Sequence, residues 1–224
     1  MSSRETRPGA VLFDYSGTLF RLEADQSWET DPSTDLDGLL HRMTAPVGVI
    51  ADFDEPTRDA WERRDLDPAL HRAAYLEVLR QSGADRARAE ELYGRLIDPG
   101  YWTPYPDTGV VLEALSAQSI PVAVVSNIAF DVRPAFATRG WDRHIDAFAL
   151  SYEIGSMKPD PGIFEWALRK VGVAAEDALM VGDSLTSDGG AAALGCRFAL
   201  VEPRRTAERP TGLRNVLREF GFAV

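Results

Sequence analysis

The chain has 224 residues, enough for one sizeable core and a smaller second unit, since domains usually contain about 100–200 residues. Its formal charge of -11 at pH 7 argues against nucleic acid or an anionic membrane surface as a partner, because both attract clustered Lys and Arg. No apolar run reaches the roughly 18 residues of a membrane span, and the single cysteine, Cys196, excludes an intramolecular disulfide. We therefore expect a cytoplasmic protein, with Cys196 packed in its core.

Short apolar runs at five places predict buried strands. Continuous apolar runs, as opposed to alternating ones, are typical of a parallel sheet that is covered on both faces. The runs are Ala10–Asp14, Pro121–Asn127, Ala147–Ser151, Ala178–Asp183 and Arg197–Val201. Helices are predicted between them at Thr108–Gln118, Asp160–Val171 and Ser187–Leu194. This alternation indicates an α/β fold with a doubly wound parallel sheet.

The interval 21–100 does not follow this alternation, because it lacks a convincing buried strand. Its patterns predict helices near Asp35–Met43, Glu55–Arg64, Pro68–Ser82 and Asp85–Ile97. We expect residues 21–100 to form a helical cap domain inserted into a core of residues 1–20 and 101–224. Trp28, Trp61 and Trp102 are expected to pack in or near this cap, and His41 and His71 are expected at its surface.

Polar side chains follow the ends of the predicted strands, where ligands bind in parallel sheets. The residues concerned are Asp14, Ser126, Asn127 and Asp183, joined by Asp188 after a Gly-Asp-Ser turn and by Lys158, one of only two lysines. Three carboxylates in one place repel each other unless a positive charge lies among them. Mg²⁺ suits such a site, because it takes a few carboxylates and leaves positions for phosphate oxygens.

The turn after Asp14 supports the same interpretation. The N–H groups of Ser16, Gly17 and Thr18 would add positive potential, and Gly17 permits a close approach of the backbone to a ligand. The sequence therefore predicts a site for a phosphoryl group, in which Ser126, Asn127 and Lys158 bind the substrate together with this turn. Attack of the Asp14 carboxylate on phosphorus would give an aspartyl-phosphate.

These residues resemble the four ordered motifs of the haloacid dehalogenase superfamily. The matching segments are Asp14-Tyr15-Ser16-Gly17-Thr18, Ser126-Asn127, Lys158-Pro159 and Gly182-Asp183-Ser184 with Asp188, and their spacing fits the branch with a helical cap. The resemblance implies that Asp14 is the nucleophile and binds the metal with the Ser16 carbonyl, Asp183 and Asp188. It further implies that Ser126 binds the phosphoryl group and that Lys158 neutralises its charge.

The chain departs from the family pattern at Ser16, where family phosphatases usually carry a second aspartate that transfers protons. A serine hydroxyl has no useful pKa near neutrality, and a positioned acid or base typically contributes about 10²–10⁴-fold in rate. We expect a Mg²⁺-dependent phosphatase or phosphotransferase for a small phosphorylated molecule, slow or with an acid/base from elsewhere. The alternatives are a binding or regulatory protein of reduced activity and a dehalogenase-type hydrolase.

Two of the other branches without this aspartate fit less well. Dehalogenases of the family carry tyrosine at the second position after the nucleophile, but Tyr15 is one place early and the metal-type acids are present. Phosphonoacetaldehyde hydrolases need a cap lysine, and no lysine occurs between Arg21 and Gly100. The substrate and the oligomeric state remain open at this stage.

Overall fold

A five-stranded parallel sheet forms the centre of the protein. The computed structural model describes residues 7–23 and 54–224. The strands are β1 (Ala10–Phe13), β2 (Phe20–Leu22), β3 (Trp102–Pro104), β4 (Val122–Ser126), β5 (Ala147–Leu150), β6 (Ala178–Gly182) and β7 (Arg197–Leu200). In the sheet the order is β5-β4-β1-β6-β7, and every neighbouring pair is parallel. All five predicted strands are present, although in β7 only Ala199 is buried.

Helices cover both faces of this sheet. The α-helices are α1 (Glu55–Arg63), α2 (Pro68–Gln81), α3 (Arg86–Ile97), α4 (Thr108–Ala117), α5 (Arg133–Ala137), α6 (Ser151–Ile154), α7 (Pro161–Val171) and α8 (Gly212–Glu219). Every residue of β1, β4 and β6 is buried. Along β1, Val11 and Phe13 belong to one apolar cluster, whereas Ala10 and Leu12 belong to a second one. Two cores therefore enclose the sheet, which confirms the doubly wound α/β fold.

Among the described residues between β2 and β3, three α-helices lie in the interval predicted to be helical. Asp54, Asp67 and Asp85 immediately precede α1, α2 and α3 as N-caps. Each of these carboxylates accepts a hydrogen bond from an N–H group in the first turn of its helix. These helices match the predicted ones within one residue at either end. The predicted helix Asp35–Met43, Trp28 and His41 lie outside the described residues, and the division into two domains remains a prediction.

β2 and β3 form an antiparallel pair that the sequence did not predict. Phe20 pairs with Pro104 and Leu22 pairs with Trp102, so β2 crosses the first expected boundary between core and cap, and β3 lies just after the second. β2 leads from the first strand of the sheet toward the helical segment, and β3 leads from α3 back to the core.

Other sequence predictions have mixed outcomes. Cys196, Trp61 and Trp102 are buried, as expected. His71 is only 2% exposed, so its placement at the surface was wrong. The predicted helix Ser187–Leu194 is a 3₁₀ helix over Asp188–Leu194, in keeping with the two glycines in its first turn. In the part of the chain described here, no helix is long and apolar enough to cross a membrane.

Candidate active site

Asp14 lies directly after β1, at the carboxyl edge of the sheet. Its backbone N–H donates to the carbonyl of Val181 on the neighbouring strand β6, at 2.9 Å. The side chain is almost fully buried, and its Oδ1 accepts a hydrogen bond from Lys158 Nζ at 2.6 Å. The two central strands of the sheet therefore fix a carboxylate whose partner is a lysine from 144 residues further along the chain.

Lys158 connects three groups at this edge. Besides Asp14, its Nζ donates to Asp188 Oδ1 at 2.6 Å and to the carbonyl of Val125 at 2.8 Å. Burial alone would lower the pKa of Lys158, but the two neighbouring carboxylates outweigh it and hold the pKa above its ordinary value. Lys158 therefore remains a fixed cation in the site.

Asn127 holds the backbone of Lys158 with both atoms of its side-chain amide. Its Oδ1 accepts from the Lys158 N–H at 2.6 Å, and its Nδ2 donates to the Lys158 carbonyl at 2.8 Å. This pair of hydrogen bonds joins the loop after β4 to the loop that carries the lysine. Asn127, which was predicted to bind substrate, is thus engaged in positioning Lys158, and its contact with a substrate remains a prediction.

Two glycines allow Asp183 and Asp188 to approach the site. A Cβ on Gly182 would lie 2.2 Å from Asp188 Cγ, and a Cβ on Gly17 would lie 2.2 Å from Asp183 Oδ2. Gly17 also has a φ of +76°, a conformation that other residues rarely adopt. The Asp188 carboxylate is further held by the N–H of Ser184, which donates to Oδ2 at 2.9 Å. What lies against Gly17 is therefore a carboxylate of the protein itself.

Three carboxylates share this space with a single lysine. One oxygen from each of Asp14, Asp183 and Asp188 lies within 4.8 Å of the others. Burial, followed by repulsion from Asp188 and Asp183, raises the pKa of Asp14 to about 8 even though Lys158 opposes the shift. Burial and Asp188 likewise raise the pKa of Asp183 to about 6. Closely spaced hard oxygen ligands with excess negative charge fit a divalent cation such as Mg²⁺.

The remaining predicted residues surround this cluster. Ser126 is buried at the carboxyl end of β4, next to Leu150 of β5. Ser16 is partly exposed and forms an isolated bridge with Phe20. The Thr18 side chain is fully buried. The topology thus brings the predicted residues to one edge of the sheet, while their roles toward substrate, phosphoryl group and metal remain predictions.

Arg209 also supports the site, and sequence reasoning missed it. Its Nη1 donates to the carbonyl of Gly17 at 2.7 Å, and its Nη2 donates to the carbonyl of Thr18. The guanidinium lies 3.2 Å from the centre of the Tyr105 ring, and the residue is 6% exposed. Arg209 follows Gly17 by 192 residues and belongs to none of the motifs, so only the folded chain reveals that it braces the turn after Asp14.

Comparison with known proteins gives the family. A profile of the haloacid dehalogenase-like hydrolases matches residues 8–195. The chain belongs to this family. A glyceraldehyde 3-phosphate phosphatase from Methanopyrus kandleri is 32% identical to this hydrolase over 247 residues, covering 94% of this chain and 97% of the relative. A ribulose-1,5-bisphosphate 5-phosphatase from Halopiger xanaduensis is 29% identical over 225 residues, covering 89% and 87%.

A solved structure agrees with the fold of this haloacid dehalogenase-like hydrolase. The L-2-haloacid dehalogenase from Xanthobacter autotrophicus, solved with chloropropionic acid covalently bound, superposes with a TM-score of 0.66. The match covers 95% of this chain and 86% of the dehalogenase, at 22% sequence identity. At this identity the likeness concerns the fold alone.

Proposed function

We propose that this hydrolase is a Mg²⁺-dependent phosphatase or phosphotransferase that acts on a small phosphorylated molecule through an aspartyl-phosphate on Asp14. The observation that carries the proposal is the buried Asp14 carboxylate, hydrogen-bonded to Lys158 and within 4.8 Å of two further carboxylates. Two relatives that align over most of the chain are named as phosphatases of small phosphorylated sugars, which supports a substrate of this class.

In the proposed reaction, a carboxylate oxygen of Asp14 attacks the phosphorus atom of the substrate. A new oxygen–phosphorus bond forms on Asp14, and the bond from phosphorus to the leaving oxygen breaks. Water, or another acceptor in a phosphotransferase, then attacks the aspartyl-phosphate and frees Asp14. Lys158 offsets the negative charge of the nucleophile and of the phosphoryl group throughout, because it is fixed 2.6 Å from Asp14 Oδ1.

Asp14, Asp183, Asp188 and the Ser16 carbonyl would hold Mg²⁺. The ion would neutralise the negative charge that remains, because one lysine cannot balance three carboxylates. Ser126, at the carboxyl end of β4, would donate its hydroxyl to the phosphoryl group. The cluster also disfavours the dehalogenase alternative, since two additional carboxylates beside the nucleophile would repel an anionic haloacid in the absence of a cation.

Hydrolysis of an aryl phosphate with and without Mg²⁺ tests this function. We expect Mg²⁺-dependent turnover in the wild type, no turnover in Asp14→Asn, and weaker Mg²⁺ binding by calorimetry in Asp183→Asn. Asp160→Asn is the matched control, because Asp160 is an exposed carboxylate in the loop that carries Lys158. Full activity in Asp14→Asn would exclude the nucleophile. Mg²⁺ binding without turnover of any phosphoester would instead favour the binding or regulatory alternative.

A further inference from the structure

A turn of the helical segment lies against the loop that follows β4. The turn is the 3₁₀ helix Arg64–Leu66 between α1 and α2. Ser151 Oγ donates a hydrogen bond to the carbonyl of Asp65 at 2.5 Å, and it accepts one from the N–H of Ile128 at 2.9 Å. Ile128 follows Ser126 and Asn127 directly. One serine hydroxyl thus fastens this turn to the part of the core that positions Lys158.

The Asp65 side chain is a buried carboxylate at this contact. It is 7% exposed, and its Oδ2 lies 3.8 Å from Arg64 Nη2. Among the described residues, the titratable groups that face it are Arg64 and Tyr75 from the helical segment and Lys158 from the core. Burial raises the pKa of Asp65 and prevails over the opposing charges of Arg64 and Lys158. A carboxyl group of this kind exchanges a proton closer to neutrality than an exposed aspartate does.

We propose that Asp65 is the acid and base that Ser16 cannot provide, an assignment that rests on the proposed chemistry at Asp14. The turn that carries Asp65 is fastened two residues beyond Ser126, and its carboxylate lies within the electrostatic field of Lys158, the partner of Asp14. The proton-transfer group comes from the inserted helices and not from the turn after β1.

The two half-reactions balance with this residue. As Asp14 forms its bond to phosphorus and the bond to the leaving oxygen breaks, the protonated Asp65 gives its proton to that oxygen, which departs as an alcohol. Water then attacks the aspartyl-phosphate and transfers a proton to the Asp65 carboxylate as the bond from Asp14 to phosphorus breaks. Inorganic phosphate is released, and Asp65 is again protonated.

A comparison of leaving groups tests this assignment. An alkyl phosphate needs a proton on its leaving oxygen, whereas a nitrophenyl phosphate does not. In Asp65→Asn we expect alkyl phosphate turnover to fall about 10²–10⁴-fold, while nitrophenyl phosphate still gives a burst of one nitrophenol per site as the aspartyl-phosphate accumulates. Asp59→Asn is the matched control, since Asp59 lies 3.6 Å from Arg63 on the same segment but is exposed.

A second variant separates proton transfer from folding. Because Asp65→Asn leaves a buried arginine without its carboxylate partner, the variant can also lose stability. Adding Ser16→Asp restores the family's usual proton donor without restoring that ion pair. We expect it to recover alkyl phosphate turnover by at least 10-fold in the Asp65→Asn background.

The outcomes of the two proposals differ. An alkyl phosphate rate in Asp65→Asn within a few-fold of the wild type would overturn the assignment. An equal loss with both esters, no burst and no recovery with Ser16→Asp would overturn it as well. Failure of the proposed function gives a different result: either the wild type hydrolyses neither ester, or Asp14→Asn keeps its activity. Either result would also exclude the role of Asp65, because that role depends on the chemistry at Asp14.

Discussion

Replacing Gly17 by alanine introduces two separable perturbations at the turn after Asp14. The first is backbone strain, because Gly17 has a φ of +76°, where an L side chain crowds its own carbonyl. The second is a collision, because the new Cβ would lie 2.2 Å from Asp183 Oδ2 and 2.8 Å from Asp183 Cγ. Since ordinary contacts begin at 3.4 Å, Asp183 or the turn has to shift by about 1 Å.

The two perturbations have different magnitudes and different consequences. The left-handed conformation costs an alanine about 1–2 kcal/mol of folding free energy. Displacing Asp183 acts on the proposed metal site, where disturbing the groups that orient a ligand typically lowers metal affinity about 10–100-fold. We therefore expect Gly17→Ala to lose about 1–2 kcal/mol of stability or somewhat more and at least 10-fold in Mg²⁺ affinity.

Gly172 provides a control that isolates the strain. It ends α7 with a φ of +72°, but a Cβ there meets nothing within 4 Å. Urea unfolding should show similar stability losses for Gly17→Ala and Gly172→Ala. Calorimetric Mg²⁺ titration and aryl phosphate turnover should be impaired in Gly17→Ala alone. Equal Mg²⁺ affinity in the two variants would refute the reasoning that Gly17 exists to admit Asp183.

Three further predictions concern residues around the site. Burial and the charge of Arg64 lower the pKa of His71 from 6.5 to about 3. Below about pH 6.5 the unfolded state therefore binds more protons than the folded state, and the free energy of unfolding decreases as the pH is lowered. Between about pH 7.5 and pH 5 the wild type should therefore lose about 2 kcal/mol more unfolding free energy than His71→Phe, as measured by urea unfolding at both pH values, and an equal loss in both proteins would contradict it. Arg209→Met should lower the unfolding free energy by about 2–4 kcal/mol, because it leaves two buried carbonyls without a donor, and a change below 1 kcal/mol would show that the brace is dispensable. Asn127→Ala should lower kcat for an aryl phosphate about 10-fold or more with little change in KM, because it removes both hydrogen bonds to the backbone of Lys158. A higher KM with an unchanged kcat would indicate that Asn127 contacts the substrate instead.

Residues next to strand ends were predictable because local sequence determines both the strand and its edge. The apolar run before Asp14 and the one before Asp183 specify neighbouring parallel strands, and parallel strands deliver their following residues to one edge. The starts of α1 and α2 follow local rules as well, since Asp and Pro at a helix start act within one turn. Local rules were sufficient wherever the partner lay within a few residues or on an adjacent strand.

The interactions that sequence reasoning missed all join distant segments. Arg209 reaches the turn after Asp14 from the C-terminal region, and Asp65 reaches Ser151 from the helical segment. No spacing rule connects residues that lie 192 or 86 positions apart. His71 was misplaced because a histidine on an amphipathic helix is more often at the surface, and only the aromatic rings of Tyr75 and Tyr93 show that this face is buried.

The charge of the site gives a physical reason for placing the acid/base on the inserted helices. Asp14, Asp183 and Asp188 carry three negative charges, which Lys158 and one Mg²⁺ would balance to zero. A fourth carboxylate at position 16, as in family phosphatases, would add one further negative charge beside these acids. A carboxyl group on the turn Arg64–Leu66 adds its charge beside Arg64 instead. In this arrangement Ser16 keeps the core electrostatically neutral, and proton transfer depends on the contact between Asp65 and Ser151.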